Sequence, residues 1–371
     1  MNFRGVKLKE VKTKKSLLNL QSYRPAVAES KSSEIIRLSV NEGALGPSPK
    51  ACLAIKNWSK QKHLFHRYPD QIDQNLIKSI ASRYGLIKEK IVLGNGSDDL
   101  IQLICNTYLD PGDEAIYTEY GFLVFPQSIR IAGGNPIMAK DVNYTASLDN
   151  ILSKISKKTK IIFLANPNNP TGTMVGRKEI SNFIKKVRSN ILIVLDAAYA
   201  EYVDKIEYSN GLEFVEKLNN VIMLRTFSKL HALASLRLGW AYCPEKIANI
   251  LKSVRPAFSV NSLASFAGTA AVEDVEFQKL SFSHNLKTKK WVFKELKDHK
   301  ISFIPSETNF FLLNFHTKEI AIDALRFLEE KNIFVRGMQP YNLSNYLRVT
   351  IGTKNEMKIF LECILSFLKD K

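Results

Sequence analysis

Residues 224–240 read Leu-Arg-Thr-Phe-Ser-Lys-Leu-His-Ala-Leu-Ala-Ser-Leu-Arg-Leu-Gly-Trp and hold one lysine, Lys229. An apolar strand pattern, Val221-Ile222-Met223-Leu224, leads into it; hydroxyls at Thr226 and Ser228 precede it, and Arg237 follows in a nearly apolar run. An ammonium in such a setting is costly unless it is paired or has reacted. An imine to an aldehyde cofactor is one such use, and pyridoxal phosphate (PLP) is the common aldehyde. Thr226, Ser228 and Arg237 could then hold the cofactor's phosphate. Alone, the pattern also fits a solvated lysine after a strand, so the case rests on what else converges there.

Four other short apolar strands end in polar residues. Ile91-Val92-Leu93 runs into Gly94-Asn95-Gly96-Ser97, and residues 114–118 run into Glu119-Tyr120-Gly121. Residues 160–164 lead to Asn166-Pro167-Asn168-Asn169-Pro170-Thr171-Gly172, and residues 191–195 to Asp196-Ala197-Ala198-Tyr199. Continuous apolar strands separated by helical patterns indicate a mostly parallel sheet covered on both faces. Ligands of such sheets bind beyond the carboxyl ends of the strands, which is where these polar residues fall. Ser97 reads as the N-cap of a helix beginning at Asp98, and a helix start offers backbone N–H groups to a phosphate.

The elements that must carry these loops follow from the pattern. Residues 1–33 read as an arm with a short helix, 35–40 as a strand, 49–60 and 72–84 as helices. After about residue 275 come a long polar helix (276–299), strands at 301–304 and 309–315, a helix at 319–331, strands at 333–336 and 346–350, and a last helix at 354–369. The expected organisation is an N-terminal arm with part of a small domain (1–50), a large cofactor-binding domain (51–270) and a small α+β domain (271–371).

Composition narrows the classes. The chain has 371 residues, 45% hydrophobic, with 53 Lys and Arg against 36 Asp and Glu, a formal net charge of +17. The basic residues are spread along the chain and often sit beside acids, as in Lys88-Glu89-Lys90, and no nucleic-acid-binding motif accompanies them. No apolar run reaches membrane-spanning length. The N-terminus has no signal-peptide core, and the four cysteines form no CxxC pair, which fits reduced thiols in the cytoplasm. No metal-ligand spacing is present.

Taken together, Asn166 to Gly172, Asp196 to Tyr199, Thr226 to Lys229 and Leu236 to Trp240 resemble the fold-type I PLP-dependent aminotransferases, and within them the histidinol-phosphate aminotransferase family. Further marks are Tyr23, Asn41-Glu42 with Gly46-Pro47, Arg67-Tyr68-Pro69, Gly94 to Asp99, Ser306 to Phe310 and Leu347 to Gly352, so the likeness covers essentially the whole chain. It implies an α/β fold with a mostly parallel seven-stranded sheet in a large domain and a smaller α+β domain. It also implies the cofactor PLP and transamination between L-histidinol phosphate and 2-oxoglutarate. The competing activities are transamination of phenylalanine or tyrosine and decarboxylation of threonine phosphate.

The same resemblance gives the residues roles. Lys229 would carry the cofactor and move the proton; Asp196 would pair with the pyridine nitrogen, where the alternative is a helix N-cap. Asn169, otherwise a turn residue, and Tyr199 would donate to the 3-oxygen. Tyr120, otherwise a core aromatic, would stack on the ring. Ser97, Asp98, Thr226, Ser228 and Arg237 would hold the phosphate, with Asp98 offering its backbone and not its carboxylate. Arg348 would clamp the α-carboxylate of glutamate, and Arg336 would meet the second anionic group or else form a surface salt bridge. Tyr23 would close over the substrate. Tyr68 would reach the cofactor phosphate of a partner in a homodimer. Two departures, Ala197 and Leu230-His231, remove none of these contacts, and His231 reads as a packed ring. Gly43-Ala44-Leu45 departs from the family near the substrate.

Overall fold

Every residue of the strands Leu192–Asp196 and Val221–Thr226 is buried. Alternate side chains leave a strand on opposite faces, and here both faces are covered. Ile193, Leu195, Val221 and Met223 enter one apolar core with the helices Gln74–Tyr84, Arg177–Lys186 and Ser262–Glu273. Leu192, Val194, Ile222 and Leu224 enter the other, with Ser97–Tyr108, Val124–Ala132 and Glu245–Val254. The structure is a computed structural model that describes residues 12–17, 35–62, 65–69 and 74–369.

The large sheet has seven strands in the order Ile91–Gly94, Gly239–Tyr242, Val221–Thr226, Leu192–Asp196, Thr159–Ala165, Glu114–Thr118 and Asn135–Ala139. Only Gly239–Tyr242 runs against the rest. Two of these strands escape the sequence reading. Asn135–Ala139 is an edge strand that holds Pro136 and buries only its last residue, so it carries little apolar signal. Gly239–Tyr242 hides inside the lysine segment, where Gly239 and Trp240 look like part of a loop.

A second sheet of four antiparallel strands follows, in the order Arg336–Gly337, Tyr346–Thr350, Phe310–Asn314 and Phe303–Ile304. Phe311, Leu313, Leu347 and Val349 face a core shared with the helices Val275–Asp298, Lys318–Glu330 and Lys354–Lys369. By alternation Phe310, Arg348 and Thr350 take the other face, and Phe310 packs on Tyr199 of the large sheet's edge. The expected strand 333–336 is in fact two pieces. Ile333–Phe334 pairs in parallel with Ile36–Arg37, all that remains of the expected strand 35–40, and Arg336–Gly337 joins the four-stranded sheet. Among the described residues no helix is long and apolar enough to cross a membrane.

Candidate active site

Beyond the carboxyl ends of the parallel strands lies a cavity of about 340 Å³. Lys229, Asp196, Asn169, Tyr199, Thr226, Ser228, Arg237, Ser97, Asp98 and Arg348 all line it. Ten residues expected from sequence thus meet in one place, together with Val40, Asn41, Glu42 and Phe122, to which the sequence reading gave no role.

The turn after Val221–Thr226 presents the lysine. Lys229 Nζ donates to the Val40 carbonyl at 3.3 Å and stands 5.6 Å from the centre of the Tyr199 ring. Burial, then the nearby Arg348 guanidinium, lower its pKa to about 8 against the pull of Asp98 and Glu42. An amine tuned this way is neutral often enough near neutral pH to act as nucleophile and base. The loop that supplies Val40 packs directly on the lysine's backbone: a Cβ on Gly43 would come within 2.8 Å of the Lys229 carbonyl oxygen.

Asp196 ends its strand with the carboxylate buried and accepting the Ala198 N–H at 3.1 Å. Burial raises its pKa to about 7, despite that hydrogen bond and the nearby Lys229. Tyr199 accepts a hydrogen bond from Asn41 Nδ2 at 2.9 Å, and burial lifts its phenol far above its usual range. Asn169 lies between two cis Asn-Pro bonds, at 166–167 and 169–170, and its Oδ1 accepts from Arg348 Nη1 at 2.5 Å. Arg348 Nη2 donates to the Ser39 carbonyl at 2.9 Å.

The phosphate end is built around a helix start. The helix Ser97–Tyr108 begins at Ser97, so Ser97 is its first residue and Gly96 its N-cap, one position earlier than expected. Gly96 has φ 94°, which suits glycine, and a Cβ there would lie within 2.5 Å of Arg237 Nη2. The guanidinium therefore lies over the positive end of the helix. Arg237 Nη1 donates to Ser228 Oγ at 3.4 Å, and Thr226 Oγ1 accepts the Ser228 N–H at 3.2 Å. Asp98 lines the cavity, and its carboxylate stands 3.6 Å from Nη2 of Arg237. It is the nearest acidic partner for that cation in a half-exposed position.

These features fit PLP. Arg237 over Gly96 forms an anion cradle, and Asp196 is a desolvated carboxyl facing the cavity without a cationic hydrogen-bond partner. The Arg348 guanidinium lines the cavity with its Nε buried and without a hydrogen-bond partner among the described residues, and a guanidinium fork matches a carboxylate.

The remaining described residues named from sequence lie outside the cavity lining. Tyr120 is half-buried, its ring faces Tyr144 at 6.0 Å, and Phe122 supplies the cavity wall from that segment. Arg336 is half-buried and does not line the cavity, but it stands directly across from Arg348 in the antiparallel pair, so both side chains leave on one face. Tyr68 is 81% exposed and stacks on Phe258 at 4.5 Å, away from its own cavity. Tyr23 lies outside the described residues. His231 is a buried ring packed on Phe227 at 4.8 Å, its pKa pushed down by burial to about 4, so it stays neutral. Among the described residues no group of His, Cys, Asp and Glu could hold a metal ion.

Fold and site define a PLP-dependent enzyme of the aminotransferase class. The family model described as aminotransferase class I and II matches residues 33–364. The histidinol-phosphate aminotransferase of Paramagnetospirillum magneticum is 43% identical over 337 residues, 90% of this chain and 92% of that one. The histidinol-phosphate aminotransferase of Pelagibacter ubique is 39% identical over 93% of this chain and 96% of its own length. The chain belongs to the class I and II aminotransferases, and within them to the histidinol-phosphate aminotransferase family. In fold it is similar to the crystal structure of histidinol-phosphate aminotransferase from Sinorhizobium meliloti in complex with pyridoxal-5'-phosphate. The TM-score is 0.89 at 23% identity, covering 98% of this chain and 99% of that one.

Proposed function

We propose that the protein transfers an amino group between L-histidinol phosphate and 2-oxoglutarate, giving imidazole acetol phosphate and glutamate, in the histidine-biosynthetic route. The observation that carries this is the meeting of Lys229, Asp196 and Arg348 on one cavity. The substrate reading is supported by relatives of that name at 37–43% identity.

When bound, PLP supplies an electron sink for the pair left when the substrate's α-proton departs. The chain's residues do the rest. Thr226, Ser228, Arg237 and the N–H groups at the start of Ser97–Tyr108 hold the phosphate. Asp196 holds the proton on the pyridine nitrogen, and that ion pair keeps the carboxyl charged once the cofactor is in place. Asn169 and Tyr199 donate to the 3-oxygen. Lys229 Nζ would take the proton from the substrate α-carbon and act as the acid that gives it back. Arg348 holds the α-carboxylate of glutamate and orients the C–H bond toward the lysine. With the phosphorylated substrate, Arg348 and Arg336 serve the phosphate, since a guanidinium fork matches both anions.

We also propose a homodimer working in the cytoplasm. Tyr68, Phe65, Leu53 and Phe266 are exposed apolar or aromatic groups, which supports a surface that a second copy covers, with Tyr68 completing the partner's phosphate site. The domain boundaries 1–50, 51–270 and 271–371 are part of the same reading.

The test is a comparison of kcat/KM for histidinol phosphate, histidinol, phenylalanine and tyrosine with 2-oxoglutarate. The phosphorylated substrate should lead. Phenylalanine or tyrosine at or above it would make the enzyme an aromatic aminotransferase instead. Lack of a spectral change with millimolar glutamate would favour the decarboxylase.

A further inference from the structure

We propose that Asn41 is a positioning residue for the reaction: by donating to the Tyr199 phenolic oxygen, it leaves the phenol's own proton to be donated into the cavity. The hydrogen bond runs from Asn41 Nδ2 to Tyr199 Oη at 2.9 Å across 158 residues of chain, and both groups are buried on the cavity wall.

The other end of the Asn41 amide meets Thr350. Thr350 Oγ1 accepts the Asn41 backbone N–H at 3.0 Å. Its hydroxyl proton is then available to Asn41 Oδ1, 3.4 Å away. With Oδ1 as the acceptor of that proton, the amide turns its N–H₂ to the phenol, the orientation the structure has. The phenol, accepting there, has one O–H left to give. Asn169 is oriented by the same logic: Arg348 occupies its Oδ1, so its amide N–H₂ is left as donor. Two donors are thereby prepared on one cavity from two different strands, and the reacting ring need not reorganise either of them.

The backbone also selects this residue. Asn41 has φ 58°, the left-handed region that asparagine tolerates better than most side chains. Asn309 Nδ2 braces the turn by donating to the carbonyls of Asn41 and Glu42 at 3.2 and 3.1 Å. Among the described residues the Asn41 side chain hydrogen-bonds to Tyr199 and Thr350 and to none of Lys229, Thr226, Ser228 or Arg237, so it acts through Tyr199.

The test rests on the PLP reading and uses the loaded enzyme, with the pH midpoint of the bound cofactor's visible absorbance as readout. A donor to the ring's 3-oxygen lowers the basicity of the cofactor's titrating nitrogen, so losing it raises the midpoint. The charged and titratable groups around the phenol, Arg348, Asp196, Tyr341 and Lys229, are the same in every variant. Asn41→Gly, which keeps the backbone conformation, should raise the midpoint. Asn41→Asp, nearly isosteric, turns the partner into an acceptor for the phenol proton and should raise it further, by about one unit or more. In a Tyr199→Phe background Asn41→Gly should add nothing. Thr350→Val, which frees the amide to flip, should shift the midpoint the same way, and Thr350→Ser should not. If Asn41→Gly leaves the midpoint unchanged, or shifts it equally with and without the Tyr199 hydroxyl, the proposal is wrong. Should the Asn41 variants not fold, the Thr350 pair decides: equal midpoints for Thr350→Val and wild type overturn it. Failure of wild-type enzyme to fix PLP at Lys229 on borohydride reduction would instead overturn the PLP reading itself.

Discussion

Arg348 Nη1 donates to Asn169 Oδ1 at 2.5 Å, joining the four-stranded sheet to the Asn-Pro loop of the seven-stranded one. The two residues lie 179 apart in the chain. Each prepares the other: the loop oxygen helps fix the guanidinium in its plane, and the guanidinium turns the amide N–H₂ of Asn169 toward the cavity. Arg348→Lys keeps the charge but loses the fork. We expect it to lower kcat/KM for glutamate by about a hundredfold or more, since a lost charge-assisted hydrogen bond costs about 1.5–3 kcal/mol and its partners are also disturbed. Steady-state kinetics check this, and the loss should fall largely on KM for the dicarboxylate.

Lys229→Ala should still bind PLP, through Arg237, Ser228, Thr226 and Asp196, but without a link that borohydride can fix. Turnover should fall by at least about a thousandfold, within the range attributed to a positioned acid–base group. Mass spectrometry of the reduced proteins is the measurement. A covalent adduct elsewhere in wild type would remove Lys229 from its role.

The cofactor-free protein should carry a pH signature from Asp196. Its folded pKa, about 7, lies above the ordinary 3.8 because the carboxyl is buried. Between those values the folded state binds more protons than the unfolded state, so this group makes stability fall as pH rises from about 4 to about 7. Asp196→Asn can still accept the Ala198 N–H and lacks the buried charge. In the cofactor-free state it should be more stable than wild type at pH 8, by up to about 4 kcal/mol, the gap closing toward pH 4. Lys229 acts in a separate window: with its pKa lowered to about 8, its penalty is full below that value and fades as pH rises toward 10.5. Urea unfolding at several pH values separates the two, and an equal gap at pH 4 and pH 8 would refute the Asp196 account.

Lys229, Asp196, Asn169 and the phosphate group were legible in sequence because each follows a short apolar strand, and a parallel sheet brings such ends to one edge. Asn41 was visible only as part of a family mark. Its role depends on a left-handed backbone and a contact with Tyr199 that no local pattern encodes. The break at Val335 was also hidden, since Ile333-Phe334-Val335-Arg336 alternates like one strand while its two ends pair in different sheets. The contact between the Asp98 carboxylate and Arg237 was likewise hidden, because the two residues lie far apart in the chain.

Tyr68 has no contact with its own cavity, and its exposure is explained if it serves a second copy. Two-fold symmetry then creates two shared sites at one interface. Co-expression of Tyr68→Phe with Lys229→Ala should give a mixed dimer with one site free of both changes. Activity above that of either parent, with the mixed dimer verified by tags, is expected. Activity equal to the parents' would mean that each site is built from one chain.

Arg336 and Arg348 are cross-strand partners on one face of the small sheet. Directly opposed residues in an antiparallel pair have Cβ atoms about 4.5–5.5 Å apart, a span that suits one dianion or two carboxylates. Arg348 is already tied to Asn169 and Ser39, whereas Arg336 lies outside the cavity wall. Its contribution should therefore appear with substrates that extend beyond the α-position. We expect Arg336→Ala to reduce kcat/KM for histidinol phosphate by about tenfold to a hundredfold, while histidinol changes by less than about threefold, since hydrogen bonds to charged groups contribute roughly 1.5–3 kcal/mol and those to neutral groups less. Glutamate should lose activity as well, through its second carboxylate. Kinetics with the phosphorylated and unphosphorylated alcohols on the same variant give the answer, and equal losses for both would place Arg336 in a structural role.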